Sequence, residues 1–498
     1  MRLILLHIFL LATIISIQSC IPSRELRHPH SQSVNLDILR ESIDYIVSDP
    51  NLFNAQVGIY IQSLDNDEVI FRMNEHKLFI PASNMKLFTT AVALLKFGPD
   101  FRYLTKVYST DSINTNILEG DLIIWGGGDP TLSSQFENGD ARNIFLAWGD
   151  SLKSRGINSI HGDIIGDESY FQNDRLGYGW ETDDESFYYA AQLGALSFND
   201  NCIDITVMAN DSVGLPPRVQ ISPPTDYVTI KNLATTVAAD CVRTLNMRRQ
   251  RGQNVIFISQ EIPINKPYFA ESMTIENPAR FFIHIFNEVL NEQGINIEGN
   301  LKTIQESNAI QYNELKLLFN HFSIPLADLI KFINKPSQNL YAEQLLLTIG
   351  AEFGTIGSQE EGSQVVEKTL AGMGISDNEF IMYDGSGLSR HNLLTPHAVI
   401  SLLRYMARHK YFDFFYDSLP IAGVDGTLEN RMRGTYAETK VRAKTGHVEW
   451  VSNLSGYITS LDNERFVFSI LVNNFTVPTK HVHSLQEQIC ILLSRFMR

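Results

Sequence analysis

The sequence predicts an α+β protein in which one helix-and-sheet domain, built from both ends of the chain, carries a large β-rich insert. Three observations predict it. Near the start, a strand-like run at 56–64 is followed by the turn Asp65-Asn66-Asp67 and a return strand at 69–73. From about 100 to 275, short strand-like runs alternate with turns, at 120–125, 162–166, 203–208, 227–230 and 255–258. At the far end, runs at 452–460 and 466–473 precede an amphipathic helix from about 482 to 496. A hairpin at one end and strands with a helix at the other point to one sheet shared by the two termini.

In chain order, residues 1–20 read as a signal peptide. Arg2 precedes an apolar run from Leu3 to Ile17, too short for a membrane span, and polar, Pro-containing sequence follows. Ser19-Cys20 also resembles a bacterial lipobox, with Cys20 lipidated at the mature N-terminus. Ordinary cleavage nearby, with Cys20 incidental, stays open beside it. Residues 21–34 read as a polar tether, and residues 35–98 as the first part of the terminal-segment domain. There Pro81-Ala82-Ser83 opens a helix from Met85 to Phe97, with Leu87, Phe88, Ala91, Val92 and Leu95 on one face and Gly98-Pro99 as its stop. Residues 99–275 form the expected insert, and residues 276–498 the second part of the outer domain, with helical patterns near 278–293 and 326–353.

The 498 residues are 44% hydrophobic and 19% charged, an ordinary globular composition. A net charge of -16 argues against nucleic-acid partners, which require clustered Lys and Arg. Neither a Cys-x-x-Cys nor a His-Glu-x-x-His pattern occurs, so no metal ligands are expected. Cys202 and Cys241 either pair in an oxidising compartment or remain free thiols.

Three short motifs carry chemistry. In Ser83-Asn84-Met85-Lys86, residues three apart share a helix face, so the Lys86 amine falls beside the Ser83 hydroxyl. A serine needs an adjacent base, and a lysine serves as one only when its pKa is lowered. The helix N-terminus adds backbone N–H groups that suit an oxyanion. Lys444-Thr445-Gly446 reads as a strand at a cleft edge. Lysine there supplies a cation, threonine a hydroxyl, and glycine room for a substrate backbone. A Ser-x-Asn motif occurs at Ser337-Gln338-Asn339, Ser376-Asp377-Asn378, Ser112-Ile113-Asn114 and Ser197-Phe198-Asn199. The first is preferred, because it sits in a turn between helical runs, whereas Ser376 falls in a turn before a strand. His391, His397 and His447 read as solvated or packing residues.

Ser-x-x-Lys, Ser-x-Asn and Lys-Thr-Gly in this order are the signature of penicillin-binding proteins and serine β-lactamases. The chain resembles the class C low-molecular-mass penicillin-binding proteins, the D-alanyl-D-alanine carboxypeptidase/endopeptidase family. The resemblance runs through 80–89, 125–132, 335–343, 384–390 and 441–446, and the 254 residues from Ser83 to Ser337 match the family's large insert. The family often has Asp where Gln338 stands.

The resemblance implies a transpeptidase/β-lactamase-like fold and hydrolysis of peptidoglycan peptides through an acyl-enzyme on Ser83. Lys86 would take the proton, and the Ser83 and His447 N–H groups would hold the oxyanion. Ser337 with Lys444 would protonate the leaving amine. Asn339, Thr445 and Gly446 would line the substrate. Asp184, Tyr189, Arg390 and Glu449 fall where the family places contacts to the stem peptide, though a solvated acidic loop also accounts for Asp184. No cofactor is implied. The implied partners are peptidoglycan peptides, β-lactams as inhibitors, and a membrane only through Cys20, in a secreted, periplasmic setting. Two rivals are a β-lactamase or esterase with the same motifs, and a non-catalytic wall-binding protein.

Overall fold

The computed structural model describes residues 36–498 apart from 173, 267, 308 and 309. The signal peptide expected at 1–20, with Cys20, and the tether expected at 21–34 lie outside the described residues. Among the described residues, no helix is long and apolar enough to cross a membrane.

The two ends of the chain share one five-stranded antiparallel sheet. Its order is Val69–Met73, Gln56–Ser63, Arg465–Asn473, Val451–Thr459, Val441–Val448. Gln56 faces Asn473 and Ser63 faces Phe466, so the N-terminal hairpin is sealed by the last strand. That strand reads as almost continuously apolar because it is covered on both faces. Val467 and Leu471 join the core that holds Val399 and Leu403 of the helix Pro396–Ala407. Phe466, Phe468, Ile470 and Val472 join Leu39, Ile43, Leu485 and Ile489 of the helices Leu36–Val47 and Thr479–Arg495. The side-chain alternation of a strand divides these residues between two cores.

The helix Met85–Phe97 lies deep in the first core. Residues Met85 to Leu94 are buried on every side, so its N-terminus is held in place by packing all round.

The insert leaves and re-enters at one neck. Tyr103 N–H donates to Ser323 Oγ (2.9 Å), and Ser323 N–H returns to the Tyr103 carbonyl (3.1 Å). Between these points stands a second mixed sheet, ordered Leu301–Thr303, Ile164–Asp167, Leu122–Trp125, Leu104–Ser109, Lys316–Phe322. A four-stranded sheet of short strands, ordered Asn296–Ile297, Ser159–Ile160, Ile117–Leu118, Ile113–Asn114, and smaller sheets at 202–274 complete the unit.

This differs from the expected boundary at 275. The helix Pro278–Glu292 turns Phe281, Phe282, Ile285, Phe286 and Val289 into the insert's core, where Phe145 and Phe198 meet them. The packed unit closes near Ser323. The unit also holds the helix Asn143–Ser154. Cys202 is buried and Cys241 exposed, and both are free thiols, so the pairing left open above does not form.

Candidate active site

Ser83 sits in a single 3₁₀ turn, Ala82–Asn84, that feeds directly into the helix Met85–Phe97. Ala82 has φ +45, a left-handed conformation that costs free energy for a residue with a Cβ. Against it lies Gly387, at φ +85, where an added Cβ would stand 1.8 Å from the Ala82 carbonyl oxygen. Only glycine permits that approach. The Ser83 turn is therefore braced from the 384–392 loop.

Lys86, one turn on, is fully buried. Its Nζ lies 3.0 Å from Ser83 Oγ, 2.6 Å from Asn339 Oδ1 and 2.8 Å from the Ser386 carbonyl oxygen. Burial pulls its pKa from the usual lysine range down to about 7, against the opposing pull of Asp384 and Glu343. A neutral amine has two donors and one lone pair. With Asn339 Oδ1 and Ser386 O as its acceptors, the lone pair is left to the Ser83 hydroxyl.

Ser337 occupies the turn between the helices Leu326–Asn334 and Asn339–Phe353, at φ +68. This strained backbone presents its Oγ to Lys444 Nζ at 2.8 Å. Lys444 is also fully buried, and its pKa is pushed well down, first by burial and then by the Lys86 charge. Asn339, at the start of the next helix, receives Lys86 on Oδ1 and donates from Nδ2 to the Tyr189 carbonyl oxygen (2.8 Å). Of these four Ser-x-Asn sequences, Ser337–Asn339 is the one that shares the cleft with Ser83. Ser376 and Asn378 stand exposed on a turn, Ser112 and Asn114 lie on the insert surface, and Ser197 and Asn199 are buried inside the insert.

Lys444-Thr445-Gly446 lies on Val441–Val448, the edge strand of the central sheet. Ala443 sends its N–H outward to the Pro420 carbonyl (3.0 Å). By the two-residue alternation of an antiparallel edge, the Thr445 and His447 N–H groups face the same way. Thr445 Oγ1 donates to Thr427 Oγ1 (2.8 Å). Gly446 corrects one sequence expectation: it does not make room for substrate. It is buried, and a Cβ there would stand 2.5 Å from the Pro81 carbonyl oxygen and 3.0 Å from Asn84 Nδ2. Glycine lets the edge strand press against the Ser83 turn, where Asn84 Nδ2 donates to the Lys444 carbonyl (3.1 Å).

Above these groups opens a cleft of about 550 Å³, lined by Ser83, Ser337, Asn339, Thr445 and His447 and, on its rim, by Asp184, Tyr189, Arg390 and Glu449. Tyr189 OH donates to Asp184 Oδ1 (2.9 Å), and Arg390 Nη1 donates to the Glu449 carbonyl (3.0 Å). Asp183 and Glu185 pair with Arg248 (3.6 Å) and Arg251 (3.1 Å). Asp184, between them, faces the cleft with a phenol as its partner. His391 packs against Tyr178 and Tyr383, and His397 meets Glu379.

Sequence reasoning gave no role to two buried carboxylates that shape this floor. Asp384 collects the N–H groups of Gly387 (2.7 Å) and Ser389 (2.6 Å), Asn392 Nδ2 (2.7 Å) and Trp180 Nε1 (2.9 Å), and so fixes the loop that brings Ser386 O to Lys86. Glu343 accepts from Ser386 N–H (2.7 Å), and burial pushes its carboxyl well above the usual range. Both lie inside the family-like stretches 335–343 and 384–390, so their position was a signal although their partners were not.

A serine and a desolvated lysine at a helix start, a second buried lysine on a sheet edge and a Ser-x-Asn turn between them define a serine acyl-transfer enzyme of the penicillin-recognising class. The chain belongs to the D-Ala-D-Ala carboxypeptidase 3 (S13) family, whose pattern matches residues 39–495, and is a serine peptidase of that family. It is 32% identical over 477 residues to a D-alanyl-D-alanine carboxypeptidase of Actinomadura sp. (strain R39), covering 94% of this chain and 86% of that protein. It is 29% identical over 435 residues to the D-alanyl-D-alanine carboxypeptidase DacB of Haemophilus influenzae, covering 85% and 86%. The crystal structure of penicillin binding protein 4 (dacB) from that organism superposes with a TM-score of 0.79 at 25% identity, covering 91% of this chain and 99% of the other.

Proposed function

We propose that this enzyme hydrolyses the D-Ala-D-Ala ends of peptidoglycan stem peptides, and the cross-bridge amides between them, through an acyl-enzyme on Ser83. One observation carries the reading: Lys86 Nζ, fully buried and poised near neutrality, lies 3.0 Å from Ser83 Oγ. Ser83 Oγ attacks the carbonyl carbon while its proton passes to Lys86. The negative oxygen is received by the Ser83 N–H, at a helix start without an intrahelical acceptor, and by the outward His447 N–H. The C–N bond breaks as the proton taken by Lys86 is passed on to the leaving amine through Ser337, which Lys444 contacts at 2.8 Å, and Lys86 is left neutral. Water then attacks the ester, with Lys86 again accepting a proton, and Ser83 is restored.

Asn339 Nδ2 is within reach of the substrate amide, and Thr445 of the terminal carboxylate. Asp184, with Tyr189, meets the free amine of a diamino acid in the stem, while Arg390 and Glu449 border the same end of the cleft. A β-lactam enters as a strained mimic of the D-Ala-D-Ala amide and acylates the same serine.

Digestion of purified peptidoglycan tests the reading. Free D-alanine and uncrosslinked stems are expected, and their absence from a protein that still binds penicillin would overturn it.

The reading also assigns a place. Export on the 1–20 segment and lipidation of Cys20 would hold the enzyme at a membrane facing the wall, since two or more acyl chains anchor firmly where one does not. Cys20→Ser is then expected to move the protein from the membrane to the soluble periplasmic fraction. Wild-type protein already soluble, with another N-terminus, would refute the lipid anchor alone.

A further inference from the structure

Away from the cleft, three side chains converge that no sequence spacing connects. His76 follows the strand Val69–Met73, Glu379 precedes the short strand Phe380–Ile381, and His397 sits in the first turn of the helix Pro396–Ala407. The backbone joins these segments closely. Thr395 N–H donates to the Glu379 carbonyl (3.0 Å), His397 N–H to the Glu75 carbonyl (2.9 Å), and Phe79 and Leu394 exchange a pair of bonds at 2.9 and 3.0 Å.

Their side chains then aim at one point. His76 Nδ1 is 2.7 Å and His397 Nδ1 3.0 Å from Glu379 Oε1, and the two imidazole centroids are 4.7 Å apart. One ligand atom from each residue lies within 4.8 Å of the others. In a tetrahedral zinc site with bonds of about 2.0–2.2 Å, neighbouring ligand atoms stand about 3.4 Å apart. The trio therefore needs only a small outward shift to admit an ion.

The surroundings also suit a ligand set. Glu379 is held at 13% exposure, with Thr395 Oγ1 3.5 Å from its Oε1, and the His397 ring stacks on Tyr60 at 6.0 Å and 14°. Such outer contacts fix the direction of metal ligands. His76, at 62% exposure, leaves the remaining coordination positions open to water.

We propose that His76, Glu379 and His397 form a binding site for a divalent transition-metal ion, of which zinc is the type, pinning the segment before the Ser83 turn to the helix Pro396–Ala407. Two imidazoles and a carboxylate are the donor set that zinc and its neighbours prefer over calcium or magnesium. None of the three residues lines the cleft, so the ion supports the fold and takes no part in acyl transfer.

The test is calorimetric titration of chelator-stripped enzyme with zinc chloride, paired with thermal melting. Wild type is expected to bind an equivalent of zinc that raises its melting temperature. His76→Ala and the near-isosteric Glu379→Gln are each expected to weaken that equivalent by about tenfold or more and to abolish the shift. Unchanged penicillin acylation shows that each variant is folded; should His76→Ala fail to fold, Glu379→Gln carries the test. His284→Ala, at a separate cluster with Asp226 and Glu288, serves as control. Variant titrations that superimpose on wild type, or an equivalent removed by His284→Ala instead, would overturn the site.

Discussion

On the floor of the cleft Lys86 and Lys444 are wholly buried, whereas on the rim Glu449 stands in water and Asp184 and Arg390 are half-buried. The floor comes from four elements of the terminal-segment domain, three of them braced against one another: Gly387 against Ala82, Gly446 against Pro81, Asn84 against the Lys444 carbonyl. Opposite them, the Asp184–Tyr189 side of the rim comes from an insert loop whose outer acids pair with exposed arginines. Electrostatic effects are large where water is excluded and small where it is not. The floor is thus suited to moving protons, and the rim to choosing which peptide is held while they move.

The largest effect should come from the floor. Ser83→Ala is expected to abolish covalent labelling by penicillin, a loss of about four orders of magnitude or more in acylation. Labelled wild-type protein should carry the adduct on the tryptic peptide that contains Ser83. An adduct on another serine would end the assignment.

Next comes the pH profile. Burial lowers the pKa of Lys86 to about 7, so the amine is neutral and able to accept a proton above that value and is protonated below it. Acylation is expected to fall about tenfold per unit as pH drops below 7, and to level above it. A rate flat from pH 5 to 8 would show that Lys86 is not the base.

Ser337→Ala against Ser376→Ala separates a floor residue from a surface look-alike. The first is expected to slow acylation by about a hundredfold or more, the second to leave it unchanged. Equal rates for the two variants would remove Ser337 from the proton path.

The same contrast explains what could be read without a structure. Ser83 and Lys86 were legible because their contact is local, fixed by helix geometry alone. The helix Met85–Phe97 and the shared terminal sheet were legible for a similar reason, since their apolar periods do not depend on the partner. Ser337 needed context, because Ser376-Asp377-Asn378 is the closer match in letters and only the place of Ser337 between two helical runs separates them.

The supports of the floor act through backbone atoms and across long separations, as when Ser386 O, placed by Asp384, meets Lys86 300 residues away. No local pattern encodes that. Nor does one encode where the insert ends. Phe281, Phe282, Phe286 and Val289 make an apolar stripe that would cover either sheet equally well, and their partners Phe145 and Phe198 decide it. For Gly446 the residue type was read correctly as a close approach, but the approaching group is the protein's own Pro81 carbonyl.

The smallest effect expected lies on the rim, and it tests the division most directly. Asp184 faces the cleft beside Tyr189, and its neighbours Asp183 and Glu185 already have cations. A diamino acid in the stem would bring an ammonium to it. Losing such a charge-assisted hydrogen bond costs about 1.5–3 kcal/mol where water is excluded, and less at this half-exposed position. Asp184→Ala is therefore expected to lower kcat/KM on stem peptides that carry the free amine by about tenfold. It should leave penicillin acylation unchanged, because the drug has no group that reaches the loop. Tyr189→Phe should follow in the same direction and more weakly, since it removes only the phenol that orients the carboxylate. Steady-state assays on paired peptides, with and without the amine, read the difference. If Asp184→Ala slows both substrates and penicillin alike, the loop supports the floor, and the division between floor and rim fails.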